Sequence, residues 1–257
     1  MAYAHELKIA LEAARAAGEI QMQHRLGRLN ISIKDDASPV TEVDRLCERT
    51  IRDLIKRHFP ADGFLGEETG EEKGTSGRKW IVDPLDGTRP YIRGIPTHSA
   101  LIALEDGDDM TVGCMNLPAM EEMYWASNGG GAFLNGNQLH VSKLASLQEI
   151  MGCALGFADK QGPRDAARLL QLMETWGYTY GFMDAYTYGS IAAGRIDACV
   201  NLHDKPWDCA AAVCIVREAG GRFSDIHGND SVYNGSCILT NGLVHDAILK
   251  YFQEISR

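Results

Sequence analysis

The chain has 257 residues, 45% of them hydrophobic and 23% charged, an ordinary globular balance that excludes a disordered or fibrous protein. It carries 25 lysines and arginines against 35 aspartates and glutamates, a formal charge of −10. A general nucleic-acid binder needs a basic face for phosphate backbones and is excluded on that ground.

An acidic chain can still bind a small phosphorylated molecule if positive charge is supplied locally. Residues 1–27 carry charges throughout, and no run approaches the roughly 18 apolar residues of a membrane span. The expectation is a cytoplasmic protein with no membrane partner. The seven cysteines are scattered, odd in number and without a C-x-x-C, which favours buried reduced thiols over zinc or disulfides.

In chain order, residues 4–24 predict a helix, with Leu7, Ala10, Leu11, Ala14, Ala17 and Gly18 on one stripe. Residues 29–34 alternate like a strand. A second helix fits 42–58, with Thr41 as its N-cap and Asp44 three residues on. Residues 63–66 lead into Glu67-Glu68, and a Gly/Glu/Lys-rich linker over 70–79 precedes the buried strand Trp80-Ile81-Val82-Asp83. Strands follow over 99–105, 110–117 and 121–126, and Asn135-Gly136 predicts a hairpin. Asn128-Gly129-Gly130-Gly131 reads as another hairpin loop rather than a phosphate cradle.

Beyond about residue 145, strands over 151–155, 196–201, 221–225 and 236–240 alternate with helices over 164–176, 185–194, 208–219 and 243–255. The fold class is α+β, with an antiparallel sheet and helices in residues 1–145 and a mixed α/β unit in 146–257, together one compact unit.

The chemistry lies in Asp83-Pro84-Leu85-Asp86-Gly87-Thr88. A buried strand ends in an aspartate, and proline and glycine turn the chain so that a second aspartate returns beside the first. Two such carboxylates repel each other when partly desolvated. A solvated turn or a cap by Asp86 are the plain alternatives. Two further acids weigh against them: Glu67 after a short apolar strand, and Asp208 at the start of an Ala-rich helix, where it can also be a simple N-cap. Oxygen ligands without histidine or cysteine suit magnesium or manganese rather than zinc. Divalent ions would also supply the missing positive charge for a phosphate, and paired metals assist phosphoryl transfer to water.

Gly66-Glu67-Glu68, Trp80 through Thr88, Trp207-Asp208-Cys209-Ala210-Ala211 and Glu218-Ala219-Gly220-Gly221 together resemble the inositol monophosphatase superfamily in order and spacing, over essentially the whole chain. The resemblance implies a layered αβαβα fold and a phosphomonoesterase using two or three Mg2+ ions, with Mn2+ as a substitute. It implies that Glu67, Asp83 and the Leu85 carbonyl hold one ion, that Asp83, Asp86 and Asp208 hold a second, and that Glu67 serves a third, weaker one. Thr88 would contact the attacking water and bond to Asp44, Glu67 would orient or deprotonate that water, and the Gly87 and Thr88 N–H groups would cradle the phosphate. Asp44 also fits a capping box with Thr41. Glu68 is expected as a neighbouring surface acid. A homodimer is expected as well.

Substrate choice rests on fewer residues. Arg89 after Asp-Gly-Thr and Arg93-Gly94-Ile95-Pro96 look more like the histidinol-phosphate phosphatase branch, although Pro90 departs from both patterns. Asn201 stands where inositol phosphatases are similar in carrying a glutamate. Asp184 before Tyr186 and Tyr188 can pair with the ammonium of histidinol, or cap its helix, while the tyrosines can be core. His98, His140, His203 and His227 show no metal spacing. The expected activity is hydrolysis of L-histidinol phosphate to L-histidinol. The alternatives are an inositol-1-phosphate phosphatase and, in another class, a non-catalytic partner-binding module.

Overall fold

The structure, a computed structural model, describes residues 2–25, 27, 29–34, 38–156, 163–181 and 184–253. It opens with α1 (Ala4–His24), whose buried face runs through Ile9, Ala10, Ala13, Ala14, Ala17, Gly18 and Gln21. Small residues on that face let the helix lie close to the strands beneath it. A Cβ at Gly18 would come within 2.3 Å of the Asn116 amide. A two-stranded antiparallel hairpin follows, β1 (Ile31–Ile33) and β2 (Pro39–Thr41). It leads into α2 (Glu42–His58), which packs against α1.

The first large sheet contains β3 (Gly63–Gly66), β4 (Gly70–Glu72) and β5 (Arg78–Asp86). After the short helix α3 (Thr88–Ile92) come β6 (Ser99–Asp106), β7 (Asp109–Leu117), β8 (Glu122–Ser127), β9 (Gly131–Leu134) and β10 (Asn137–Gln138). The eight strands are ordered β10-β9-β8-β7-β6-β5-β3-β4. Every pairing is antiparallel except β3 with β5. Residues 70–72, expected within a linker, instead pair with β3 as an edge strand. The Asn128–Gly130 segment is the β8–β9 turn, and Glu218 accepts the N–H groups of Gly129 and Gly131. Asn135 and Gly136 both have positive φ, as a two-residue hairpin turn requires.

The second sheet is built from β11 (Met151–Leu155), β12 (Tyr178–Tyr180), β13 (Ala198–Asn201), β14 (Arg222–Ser224) and β15 (Cys237–Thr240). Helices α4 (Pro163–Met173), α5 (Asp184–Ala192), α6 (Pro206–Glu218) and α7 (His245–Gln253) connect and cover it. Its order is β12-β11-β13-β15-β14, parallel on the β11 side and antiparallel on the β15 side, so the unit is mixed as expected.

Three apolar clusters hold five layers together. One joins α1 and α2 to the outer face of the large sheet through Trp80, Val82 and Ile102. The next joins Ile81, Leu101 and Ala103, on the opposite face of the same strands, to α5, α6 and Cys199 and Leu239 of the second sheet. The third joins Ala198, Val200 and Ile238 to α4 and α7. Alternate residues of one strand thus enter different clusters, and both faces are buried. This is why β5 and β6 read as continuous apolar runs. Helix α6 is apolar all round because it is sandwiched between the sheets. Among the described residues no helix is long and apolar enough to cross a membrane.

Candidate active site

The pairing of β5 with β6 breaks between Asp83 and Asp86. Proline cannot donate to a ladder, so Pro84 forces the irregularity there. Gly87 then takes φ 75°, which lets the chain turn directly into α3. The turn is held locally and from a distance. Leu85 N–H donates to Asp83 Oδ1 at 3.0 Å. The buried Gln21 amide of α1 donates to the carbonyls of Pro84 at 2.9 Å and Ser99 at 3.1 Å. Ser99 Oγ and Ala185 N–H each donate to Asp86 Oδ2 at 3.0 Å.

Asp208, in the first turn of α6, accepts the Lys205 N–H at 2.8 Å. That reach-back orients its carboxylate toward the strand turn. The ligating oxygens of Asp83, Asp86 and Asp208 lie within 4.8 Å of one another. Asp83 is buried, and the other two are half-buried at the cleft. All three carboxyls are held well above the usual carboxylate range. Burial is the first cause in each case. Neighbouring carboxylates add to it: Glu67, Asp86 and Asp208 at Asp83, Asp184 at Asp86, and Asp204 and Asp86 at Asp208. A set of converging, desolvated, mutually repelling oxygens fits hard divalent cations.

Glu67 and Glu68 follow β3. Lys34 Nζ bridges them, at 2.7 Å from Glu67 Oε1 and 2.5 Å from Glu68 Oε1. Glu68 is therefore not the surface acid expected from sequence: its side chain is 6% exposed, and burial pushes its carboxyl up to about 7. Its N–H donates to Glu48 Oε2 at 2.8 Å, and the Glu48 carboxylate lies where a Cβ on Gly66 would stand.

Asp44 makes both contacts considered from sequence. Its Oδ2 accepts the Thr41 N–H at 2.8 Å and the Thr41 hydroxyl at 2.6 Å, closing a capping box on α2. Its Oδ1 accepts the Thr88 hydroxyl at 3.0 Å, and that hydroxyl also lies 3.1 Å from the Leu85 carbonyl.

These groups line one cleft of about 680 Å3. Glu67, Asp83, Leu85, Asp86, Gly87, Thr88, Arg89, Asp184, Asn201 and Asp208 all border it, while Asp44 sits behind Thr88. Asp184 has φ 52°, and its Oδ2 is buried without a hydrogen-bond partner among the described residues. Burial raises its carboxyl to about 6. The N–H that follows it is taken by Asp86. Asn201 is committed within the protein: its amide donates to Tyr188 Oη at 3.0 Å and Asp204 Oδ1 at 3.1 Å, and its Oδ1 accepts the His203 N–H at 3.1 Å.

Tyr188 is core, as the sequence allows, and Lys34, Gln21, Ser99 and Asp204 also support the site, the first three with no local pattern to mark them. Asp204, four residues before Asp208, carried the one usable signal, a second acid at helical spacing. Its Oδ2 accepts the Tyr188 hydroxyl at 2.8 Å.

A model of the Inositol monophosphatase family matches residues 3–257. A histidinol-phosphatase of Chlorobaculum parvum is 39% identical over 240 residues, covering 91% of each chain. An inositol-1-monophosphatase of Mesorhizobium japonicum is 33% identical over 251 residues, covering 95% of this chain and 91% of the other. The extragenic suppressor protein SuhB of Bartonella henselae superposes with a TM-score of 0.91 at 28% identity, covering 98% of this chain and 99% of that one.

Proposed function

The chain belongs to the inositol monophosphatase family and is a phosphomonoesterase, a family that uses metal ions; we propose that this member is a magnesium enzyme that hydrolyses L-histidinol phosphate. The observation that carries the substrate reading is Asp184, an acid in the cleft wall whose Oδ2 has no hydrogen-bond partner among the described residues. An ammonium group satisfies and neutralises such an oxygen, whereas inositol brings only neutral hydroxyls. The identity to a histidinol-phosphatase supports the same reading.

Asp83, Asp86 and Asp208, with Glu67 and the Leu85 carbonyl, are the groups that would hold two or three Mg2+ ions, and Mn2+ suits the same oxygens. When bound there, such ions supply charge stabilisation for the phosphate and a water acidic enough to lose its proton near neutral pH. The chain's own groups do the rest. Thr88 donates its hydroxyl hydrogen bond to Asp44, so its lone pairs are left to accept a hydrogen bond from the attacking water. Asp44 is fixed in that role because Thr41 saturates its other oxygen. Glu67 borders the cleft and accepts the water's proton, with Lys34 holding its carboxylate in place. The N–H groups of Gly87 and Thr88, at the entrance to α3, orient the phosphate. Arg89 stands at the rim and adds positive charge there. Water attacks in line, and no phosphoenzyme forms.

Phosphate release from histidinol phosphate, inositol 1-phosphate, fructose 1,6-bisphosphate and adenosine 3′,5′-bisphosphate, with magnesium, tests the substrate. Histidinol phosphate is expected to have the highest kcat/KM. Asp184→Asn is expected to raise KM for it by about tenfold, the loss of one charge-assisted contact, and to leave inositol 1-phosphate within about twofold. Faster turnover of inositol 1-phosphate by the parent chain would defeat the reading.

A further inference from the structure

A second cavity, of about 460 Å3, opens on the face of α2 away from the apolar core. Arg45, Arg49 and Arg52 border it on one side, and Glu48, Asp53 and Glu68 balance them in charge. The arginines recur at i, i+4 and i+7, so they share one helix face. Arg52 is paired with Glu72. Arg45 and Arg49 are exposed and have no ion-pair partner among the described residues.

Glu48, only 1% exposed, borders the same cavity from the inside. Its Oε2 accepts the Glu68 N–H, but its Oε1 is buried with no hydrogen-bond partner among the described residues. An acceptor left unsatisfied in the interior carries a desolvation penalty until a donor reaches it.

We propose that this cavity is a second ligand site, distinct from the catalytic cleft, for a small zwitterion of the α-amino-acid class. The unsatisfied Glu48 oxygen calls for an N–H donor, and a cationic one suits the adjoining Glu68. The unpaired Arg45 and Arg49 call for a carboxylate beside it. A simple anion would meet three acids in the lining, and a simple cation three guanidinium groups. Only a molecule carrying both charges a few ångströms apart answers the whole lining. The floor is also connected to the catalytic side, since Glu68 shares Lys34 with Glu67.

The test is calorimetric titration of the full chain, with magnesium, by each of the common L-α-amino acids. Any that binds is repeated as its N-acetyl and methyl-ester derivatives. At least one amino acid is expected to bind at about 1 mM or tighter, and both derivatives at least about tenfold more weakly. Glu48→Gln keeps an acceptor for the Glu68 N–H while removing the charge, and Arg45→Ala/Arg49→Ala alters only exposed positions. Each is expected to weaken binding by at least about tenfold with Tm retained. Asp184→Asn separates the two sites, because binding that survives it does not depend on the cleft acid. No heat with any amino acid, equal binding of the blocked derivatives, or loss of binding in Asp184→Asn would each overturn the proposal.

Discussion

Asp86 shows what a single side chain does here. Its Oδ2 holds Ser99 and the N-terminus of α5, while its charge adds to that of Asp83 and Asp208. Asparagine at this position keeps an acceptor for the two hydrogen bonds and deletes one of the repelling charges. In chelator, Asp86→Asn is therefore expected to unfold at a higher temperature than the parent, by the equivalent of about 1 kcal/mol. With magnesium, phosphate release is expected to fall at least about a hundredfold, which corresponds to about 2.7 kcal/mol of activation free energy. Calorimetry and a phosphate assay on one preparation check both halves. A metal-free variant less stable than the parent would mean that Asp86 works through its hydrogen bonds rather than its charge. At this scale the sequence was readable where the chemistry is local. Proline and glycine dictate the turn that pairs Asp83 with Asp86, and Asp208 opens its helix in plain view. Lys34, Gln21 and Ser99 were not readable, because nothing near them in the chain announces the partner they meet after folding.

Among the elements, α2 and α6 repeat one device at their N-termini. In α2 and in α6 an aspartate in the first turn reaches back to the N–H before the helix, and its carboxylate faces the strand turn. Asp44→Ala removes the cap on α2 and frees the Thr88 hydroxyl. It is expected to cost about 1 kcal/mol in urea unfolding and to lower kcat more than Thr41→Ala, which loses the cap but leaves the Asp44–Thr88 bond. Equal kcat for the two variants would remove Asp44 from the reaction. The seating of α6 depends on Gly113 of β7. A Cβ there would lie 2.3 Å from the Ala211 carbonyl and 3.0 Å from Cys214 Cβ. Gly113→Ala must push α6 off the sheet, so a loss of about 1–3 kcal/mol is expected in the same assay. Helices α1, α2 and α6 were legible because their lengths give periodicity room to show. Strands β2, β4 and β12 have three residues each, too few to establish alternation, and tertiary pairing alone defines them.

For the molecule as a whole, the order of strands and the sharing of α6 between two sheets follow from which apolar faces meet, a long-range matter that local pattern does not encode. The same burial makes the folded state sensitive to acid. His98 lies beside the large sheet with Nδ1 2.9 Å from Gln21 Oε1, and His245 stands by the second sheet between Ser224 Oγ at 2.9 Å and Thr240 Oγ1 at 3.0 Å. Both are fully buried, and burial pushes each imidazole down to about 4. In the unfolded chain they titrate near 6.5. Between those values the unfolded chain binds more protons, so the stability each contributes is complete above about pH 6.5 and is lost as the pH falls toward 4. The cleft aspartates, whose carboxyls are raised, act in the opposite sense, and only a difference between two chains isolates the histidines. His245→Gln retains a donor and an acceptor but cannot titrate. Urea unfolding in chelator at pH 7 and pH 4.5 is expected to show the parent losing more stability than the variant, by about 2–3 kcal/mol. Equal losses would show that His245 is charged in the folded protein, which its two hydroxyl neighbours alone could not support.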